Sequence, residues 1–197
     1  MSAIILLAAG SSSRLGQPKQ LLPFKGKTLL RRAAETAVDA AAGAPVVVVT
    51  GALHEELLPE LLGLPMMVVQ CKQWQAGMGA SIKTGLQALE MHARPLRGGV
   101  TVMLCDQPFV TTSLLQQLAA AATLGQPIAA SQYNEVRGVP VFFGVEALPL
   151  LRQLPDAAGA AQLLRQHPEL VVSLPFPLGA VDVDTPEQYA ALLASPG

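Results

Sequence analysis

The chain has 197 residues, a net charge of −1 and a composition that is 51% hydrophobic, enough to bury a substantial core in one domain spanning residues 1–197. The near-neutral charge excludes a broad nucleic-acid footprint, so any phosphate must be held at a local site, and no apolar run reaches the roughly eighteen residues that cross a membrane. The N-terminus has no basic segment ahead of its apolar stretch, which predicts no signal peptide. The cysteines Cys71 and Cys105 form no metal-type cluster and fit a reducing, cytoplasmic setting.

In chain order, apolar runs alternate with helical patterns. Residues 4–8 are predicted as a strand. Residues 28–42 are predicted as a helix, with Leu29, Leu30, Ala33, Ala34 and Ala37 on one stripe. The β-branched run PVVVVT over 45–50 predicts a buried strand, followed by a short helix over 54–62 and a strand over 66–69. A helix over 80–92, a strand over 99–104 and a helix over 112–123 come next, with Thr111 or Thr112 as N-cap. Strands are further expected over 127–130, 139–143 and 170–173, and helices over 145–152, 157–166 and 186–194. Strands alternating with helices imply an α/β fold, a Rossmann-like three-layer sandwich around a mostly parallel mixed sheet. Ligands in such sheets bind beyond the carboxyl ends of the strands.

The first such loop reads LAAGSSSRLGQPK over residues 7–19. It is not a Walker A loop: Gly26-Lys27-Thr28 supplies the end of that motif, but Leu21 stands where its first glycine belongs. No dinucleotide fingerprint is present either, since Gly77-Met78-Gly79 meets Ile82 at the third glycine position. Small residues nevertheless let backbone N–H groups approach an anion. Arg14 offers a planar fork for phosphate oxygens, and Lys19 a point charge. The alternative is a plain strand-to-helix turn with solvated cations.

Three further segments carry candidate chemistry. Trp74-Gln75-Ala76-Gly77-Met78-Gly79-Ala80-Ser81 opens a helix, where free N–H groups face outward and Ser81 is either a contact to a base edge or an ordinary helix-start serine. Asp106, in LCDQPF, ends a strand at the ligand crevice. A hard oxygen ligand there suits Mg²⁺, which takes one or two carboxylates plus substrate phosphates; the other role open to Asp106 is a helix cap. In VDVDTPE, Asp182 and Asp184 lie at i and i+2 on an extended segment and share one side. They repel unless a cation or water intervenes, while Asp184 or Thr185 also suits the N-cap before Pro186. None of His54, His92 and His167 is assigned to chemistry.

Taken together, LAAGSSSRLGQPKQLLPFKGKTLL, WQAGMGAS, CDQP and DVDTPE resemble the ordered motifs of the MobA-like nucleotidyltransferase family, and within it the molybdenum cofactor cytidylyltransferase branch. The resemblance implies the nucleotide-diphospho-sugar transferase fold and transfer of CMP from CTP to the terminal phosphate of a molybdopterin-type acceptor, with Mg²⁺ as cofactor and pyrophosphate released. It implies that Ala8, Ala9, Gly10, Ser11 and Ser12 cradle the nucleotide and that Gly79 and Ser81 receive the base. Arg14 and Lys19 would hold the phosphates, making them, with Asp106, the catalytic group. Asp106 and Asp184 would hold the metal, Asp182 sharing that role or facing the acceptor. Ala9, where guanylyl-transferring members usually carry glycine, points to CTP. Arg137, Gly138 and Pro140 lie in a segment similar to the family's acceptor-facing one, with Val139 replacing the polar residue often found there. A molybdenum hydroxylase is the expected recipient of the product. Two other functions stay open: a nucleotidyltransferase for a sugar or polyol phosphate, and a factor that binds and delivers the molybdenum cofactor with little turnover.

Overall fold

The computed structural model describes residues 1–11, 15–93 and 96–194. Strand β1 (Ala3–Ala8) is followed by a small hairpin, β2 (Pro23–Phe24) and β3 (Lys27–Thr28), and by helix α1 (Leu29–Ala41). Then come β4 (Val46–Thr50), α2 (His54–Leu61), β5 (Met67–Gln70), α3 (Met78–His92), β6 (Val100–Leu104) and α4 (Thr112–Ala121). The remaining elements are β7 (Ile128–Tyr133), β8 (Val136–Phe143), α5 (Leu148–Arg152), α6 (Ala160–Gln166), β9 (Val171–Pro175) and α7 (Pro186–Ala194).

Among the described residues, seven strands form one sheet in the order β5-β4-β1-β6-β8-β7-β9. All run parallel except β8, which is antiparallel to both β6 and β7. The side-chain period of two divides each central strand between two cores. Ile5, Leu7, Val47, Val49 and Val102 face α3, α5 and α6, while Ile4, Leu6, Val46, Val48 and Met103 face α1, α2 and α4. Both faces are covered, so these strands are mostly apolar, as expected of a buried parallel sheet, with buried Thr50 and Thr101 as the polar exceptions. A smaller cluster joins Leu15, Leu22, Phe24 and Leu29 to Val183 and Leu192, seating the hairpin and α7 beside the sheet.

Local chemistry sets the element ends. Thr28 Oγ1 accepts from Arg31 N at 3.1 Å and caps α1, an interaction worth about 1 kcal/mol. The buried stripe of α1 is largely alanine (Ala33, Ala34, Ala37, Ala40, Ala41), so the helix can lie close to the sheet. Thr111, rather than Thr112, caps α4 by accepting from Leu114 N at 3.2 Å. At α7, Thr185 Oγ1 accepts from Gln188 N at 3.3 Å, and Gln188 Oε1 accepts from Thr185 N at 2.9 Å and Asp184 N at 2.8 Å. This is a reciprocal capping box, and it fixes the backbone that carries Asp184.

Several boundaries differ from expectation. The hairpin over residues 23–28 has strands of two residues, too short to show an alternation. The helix expected over 145–152 is a 3₁₀ turn (Val145–Ala147) followed by α5, and the one expected over 157–166 begins only at Ala160. Strand β8 starts at Val136, three residues early, because it pairs with β7 as a hairpin across Asn134 and Glu135, both at positive φ.

Two features of the sheet open a site. The chain crosses from β5 through α3 to β6, so β1 has β4 on one side and β6 on the other. That reversal is a topological switch point, where a crevice forms outside the carboxyl ends. Pairing between β6 and β8 stops at Val102 opposite Val141, one residue short of Pro140, which has no N–H to continue the ladder. The β7–β8 register shifts between Ala130 and Ser131, and Ser131 Oγ donates to Pro140 O at 2.8 Å. A second cleft opens beyond this break.

Candidate active site

The first cleft lies over the carboxyl ends of β1 and β6, with a volume of about 240 Å³. Its walls include Ala8, Ala9 and Gly10 after β1, Trp74, Gly77 and Ser81 at the start of α3, and Asp106 after β6. The second, about 270 Å³, is bounded by Gln107, Tyr133, Asn134, Val139, Gly179 and Asp182. Leu104 and Asp106 border both, so Asp106 stands at their junction.

At that junction Lys19 Nζ donates to Asp106 Oδ2 at 2.5 Å and to Asp184 Oδ1 at 2.8 Å. The three groups come from sequence positions as far as 165 residues apart. Burial disfavours charge on Lys19, but attraction and hydrogen bonds from Asp106 and Asp184 outweigh it and hold the ammonium well above its ordinary pKa. Asp182, two residues from Asp184 across fully buried Val183, has its pKa raised by burial and then by the charges of Asp184 and Asp106. Its Oδ1 accepts from Gln188 Nε2 at 3.0 Å. Asp106 Oδ1 is buried and, among the described residues, has no hydrogen-bond partner. A buried carboxylate oxygen left without a donor is costly, and its neighbours Asp182 and Asp184 supply further hard oxygens. This donor set fits a hard divalent cation. Among the described residues no group of three or more His, Cys, Asp or Glu side chains could hold a metal by itself, so substrate oxygens would complete the shell. Burial and then the adjacent Asp106 charge push the Cys105 thiol up to about 12, which removes it as a nucleophile.

Lys19 is placed by its neighbour. Gln20 is fully buried, and its Nε2 donates to Gly10 O at 2.7 Å and Ala8 O at 3.3 Å. It ties the turn carrying Lys19 to the loop after β1. Gln107 does similar work in the second cleft: Nε2 donates to Val139 O at 3.0 Å and Gly179 O at 3.2 Å, holding two walls together. Sequence reasoning assigned neither glutamine; each follows a predicted residue directly, which was the only available signal.

The predicted residues separate into three groups. Ala8, Ala9, Gly10, Lys19, Ser81 and Asp106 line the first cleft, Asp182 lines the second, and Asp184 meets Lys19 between them. Ser11 is exposed beyond Gly10. Ser12 and Arg14 lie outside the described residues. The others sit apart from both clefts. Gly79 is buried against residues 155–158, where an added Cβ would fall 2.1 Å from Pro155 O, so close packing requires glycine there. Gly138 makes room for the Tyr133 ring, whose hydroxyl would lie 2.3 Å from a Cβ there. Pro140 ends a ladder, as described above. Arg137 turns away, its Nε donating to Ser173 Oγ at 2.9 Å and its Nη1 to Pro168 O at 3.3 Å.

A crevice at a switch point, bordered by small residues at the end of β1 and by Asp106 after β6, defines an α/β enzyme that handles nucleotides. Residues 4–171 match the MobA-like NTP transferase domain, and the chain belongs to that family: it is a nucleotidyltransferase. It is 32% identical to nicotine blue oxidoreductase of Paenarthrobacter nicotinovorans, over 96% of this chain and 95% of that one. It is 24% identical to the molybdenum cofactor cytidylyltransferase of Escherichia coli K12, over 96% and 95% respectively. Among solved structures, the manganese complex of Rv0371c from Mycobacterium tuberculosis H37Rv superposes with a TM-score of 0.75 at 26% identity, over 98% of this chain and 97% of that one. Among the described residues no helix is long and apolar enough to cross a membrane.

Proposed function

We propose that this chain, as a single nucleotidyltransferase domain, transfers CMP from CTP to the terminal phosphate of a molybdopterin-type acceptor in the cytoplasm, with Mg²⁺ as its metal. The observation that carries this assignment is the Lys19–Asp106–Asp184 cluster at the junction of two clefts. One cleft is bordered by backbone and small residues suited to a nucleotide, the other by side chains suited to an acceptor, and the groups that handle charge lie where the two would meet.

The backbone of residues 8–12 cradles the phosphates, with Arg14 and Lys19 neutralising the charge that builds on the leaving pyrophosphate. Trp74 and Ser81 border the base, Ser81 offering its hydroxyl to the base edge. Asp106 and Asp184 would hold Mg²⁺, with Asp182 beside them, and the ion when bound supplies Lewis-acid polarisation of phosphate oxygens. The acceptor's phosphate oxygen attacks the α-phosphorus in line, the bond from that phosphorus to the bridging oxygen breaks, and pyrophosphate carries away the electron pair. No general base is required, since the acceptor phosphate is already ionised; positioning and charge neutralisation suffice. The oxidoreductase name of the 32% relative finds no dinucleotide fingerprint in this chain, where Ile82 takes the third glycine position and Gly79 is packed against residues 155–158. The product would pass to a molybdenum hydroxylase.

The test is pyrophosphate release with each of four NTPs and Mg²⁺, with and without molybdenum cofactor. Release only with CTP and only with cofactor is expected. Equal release with GTP would overturn the base assignment while keeping the mechanism.

One observation favours a second acceptor class. Leu104, Asp106, Gln107, Tyr133, Val139 and Asp182 of the second cleft include no cation, and Arg137 is turned away. A smaller sugar or polyol phosphate, neutralised from the Lys19 side, would also fit. Release with such a phosphate and not with molybdenum cofactor would select it. Tight cofactor binding without release with any NTP would replace catalysis by delivery.

A further inference from the structure

We infer that Lys19 is a placeholder cation: it neutralises Asp106 and Asp184 until a nucleotide draws it to the phosphates, so that the divalent metal and the nucleotide bind each more tightly in the other's presence. The inference rests on the metal assignment above and adds to it an order of events and a role for Lys19 before any substrate arrives.

Three observations carry it. First, the ammonium contacts the same two carboxylates that would hold the metal, at 2.5 and 2.8 Å. A divalent ion placed on these oxygens beside the ammonium meets like-charge repulsion in a partly buried site, where it is poorly screened. Second, Lys19 also lines the first cleft. Its stem therefore has two destinations, the carboxylates at the junction and the space of a triphosphate. Third, the backbone beneath it is held independently of the side chain. The turn Lys19–Leu21 is anchored by buried Gln20 on Ala8 O and Gly10 O. The ammonium can swing on its four-carbon stem without moving the loop. Phosphate oxygens that take over the ammonium remove the like charge that the metal would otherwise meet at Asp106 and Asp184. The coupling is reciprocal: whatever factor the nucleotide contributes to metal affinity, the metal returns to nucleotide affinity.

This arrangement inverts an ordinary expectation. Deleting a residue of the site should improve metal binding when no nucleotide is present. The experiment titrates Mn²⁺ into the full chain and follows free Mn²⁺ by electron paramagnetic resonance, for the wild type, Lys19→Met, and Lys19→Met combined with Asp106→Asn. Circular dichroism checks folding, and Lys19→Gln, which keeps length and polarity but no charge, replaces Lys19→Met if the latter does not fold. Lys19→Met should bind Mn²⁺ about tenfold more tightly than the wild type or better, the size expected when one like charge is removed from a site, and Asp106→Asn should abolish the gain. Unchanged or weaker binding in Lys19→Met, or no binding to either protein, overturns the placeholder role. Binding in Lys19→Met that the added Asp106→Asn removes would then leave the metal site standing. Tight binding that survives Asp106→Asn places the ion elsewhere and overturns both.

Discussion

The two clefts that meet at Asp106 are built in opposite ways. The proposed nucleotide side is rich in small residues close to the main chain: Ala8, Ala9 and Gly10 at the end of a parallel strand, and Gly77 and Ser81 at the start of α3, beside Lys19 and Trp74. The acceptor side is made from side chains that meet over long sequence distances, with Gln107 reaching Val139 and Gly179, and Asp182 arriving from beyond β9. A wall of backbone accepts few residue types, because any added side chain fills the space the ligand needs. A wall of side chains can be rebuilt residue by residue around a different ligand. On the proposed assignment, the nucleotide side would fix the class of chemistry and the acceptor side would decide what receives it.

The largest expected effect falls on the residue shared by both. Asp106→Ala should lower kcat by about 10³-fold or more, the scale on which single groups that stabilise developing charge act. Secondary structure should survive, since among the described residues the side chain bonds Lys19 at 2.5 Å through Oδ2, while Oδ1 has no donor there. Steady-state pyrophosphate release together with circular dichroism checks this. Turnover within tenfold of the wild type would take Asp106 out of the chemistry and dissolve the junction on which the comparison depends.

Next comes a residue on the nucleotide side alone. Gln20→Leu keeps the volume but removes the donor to Gly10 O and Ala8 O. Two loop carbonyls lose a buried donor, at a cost of about 1–3 kcal/mol in unfolding free energy. Because that loop is the proposed phosphate cradle, KM for the nucleotide should rise more than tenfold while KM for the acceptor stays put. Urea denaturation and separate saturation curves distinguish the two. Equal change in both constants would mean that the sides are not independent.

The mirror experiment is Gln107→Leu. Here the tie between Val139 and Gly179 is cut, the acceptor cleft loosens, and KM for the acceptor should rise by about tenfold, the cost of one or two lost polar contacts. Nucleotide KM should not move. A matched rise in nucleotide KM would show that Gln107 acts by displacing its neighbour Asp106 rather than by holding the acceptor wall.

The same contrast explains what the sequence made legible. Central strands were evident because both faces of β1, β4 and β6 are buried and their residues are almost all apolar. Asp106 and Lys19 stood out because each follows a strand end or a glycine-rich loop directly. The hairpin of β2 and β3 was not legible, since two-residue strands carry no period. Nor were Gln20 and Gln107: a buried glutamine is defined by the carbonyls it finds, and these lie 10 to 72 residues away. The packing role of Gly79 was not legible for a related reason. A glycine at a helix start has the same letter whether it makes room for a ligand or, as here, for the backbone of residues 155–158.

Arg137 gives the smallest effect and the sharpest limit on the acceptor side. A cation beside the acceptor-facing segment suggested a phosphate contact. In the fold its guanidinium bonds Ser173 Oγ and Pro168 O, joining β8 to β9 and the turn before it, and it borders neither cleft. Arg137→Ala should therefore leave kcat and both KM values within twofold of the wild type and cost less than about 1 kcal/mol, since both bonds are partly solvated and water replaces them. A large rise in acceptor KM would mean that the side chain leaves Ser173 and swings into the cleft when the acceptor binds. The acceptor phosphate would then have its own cation. If kinetics stay unchanged, neutralisation of that phosphate falls to the Lys19 side and the metal, and the acceptor cleft discriminates by hydrogen bonding and shape alone.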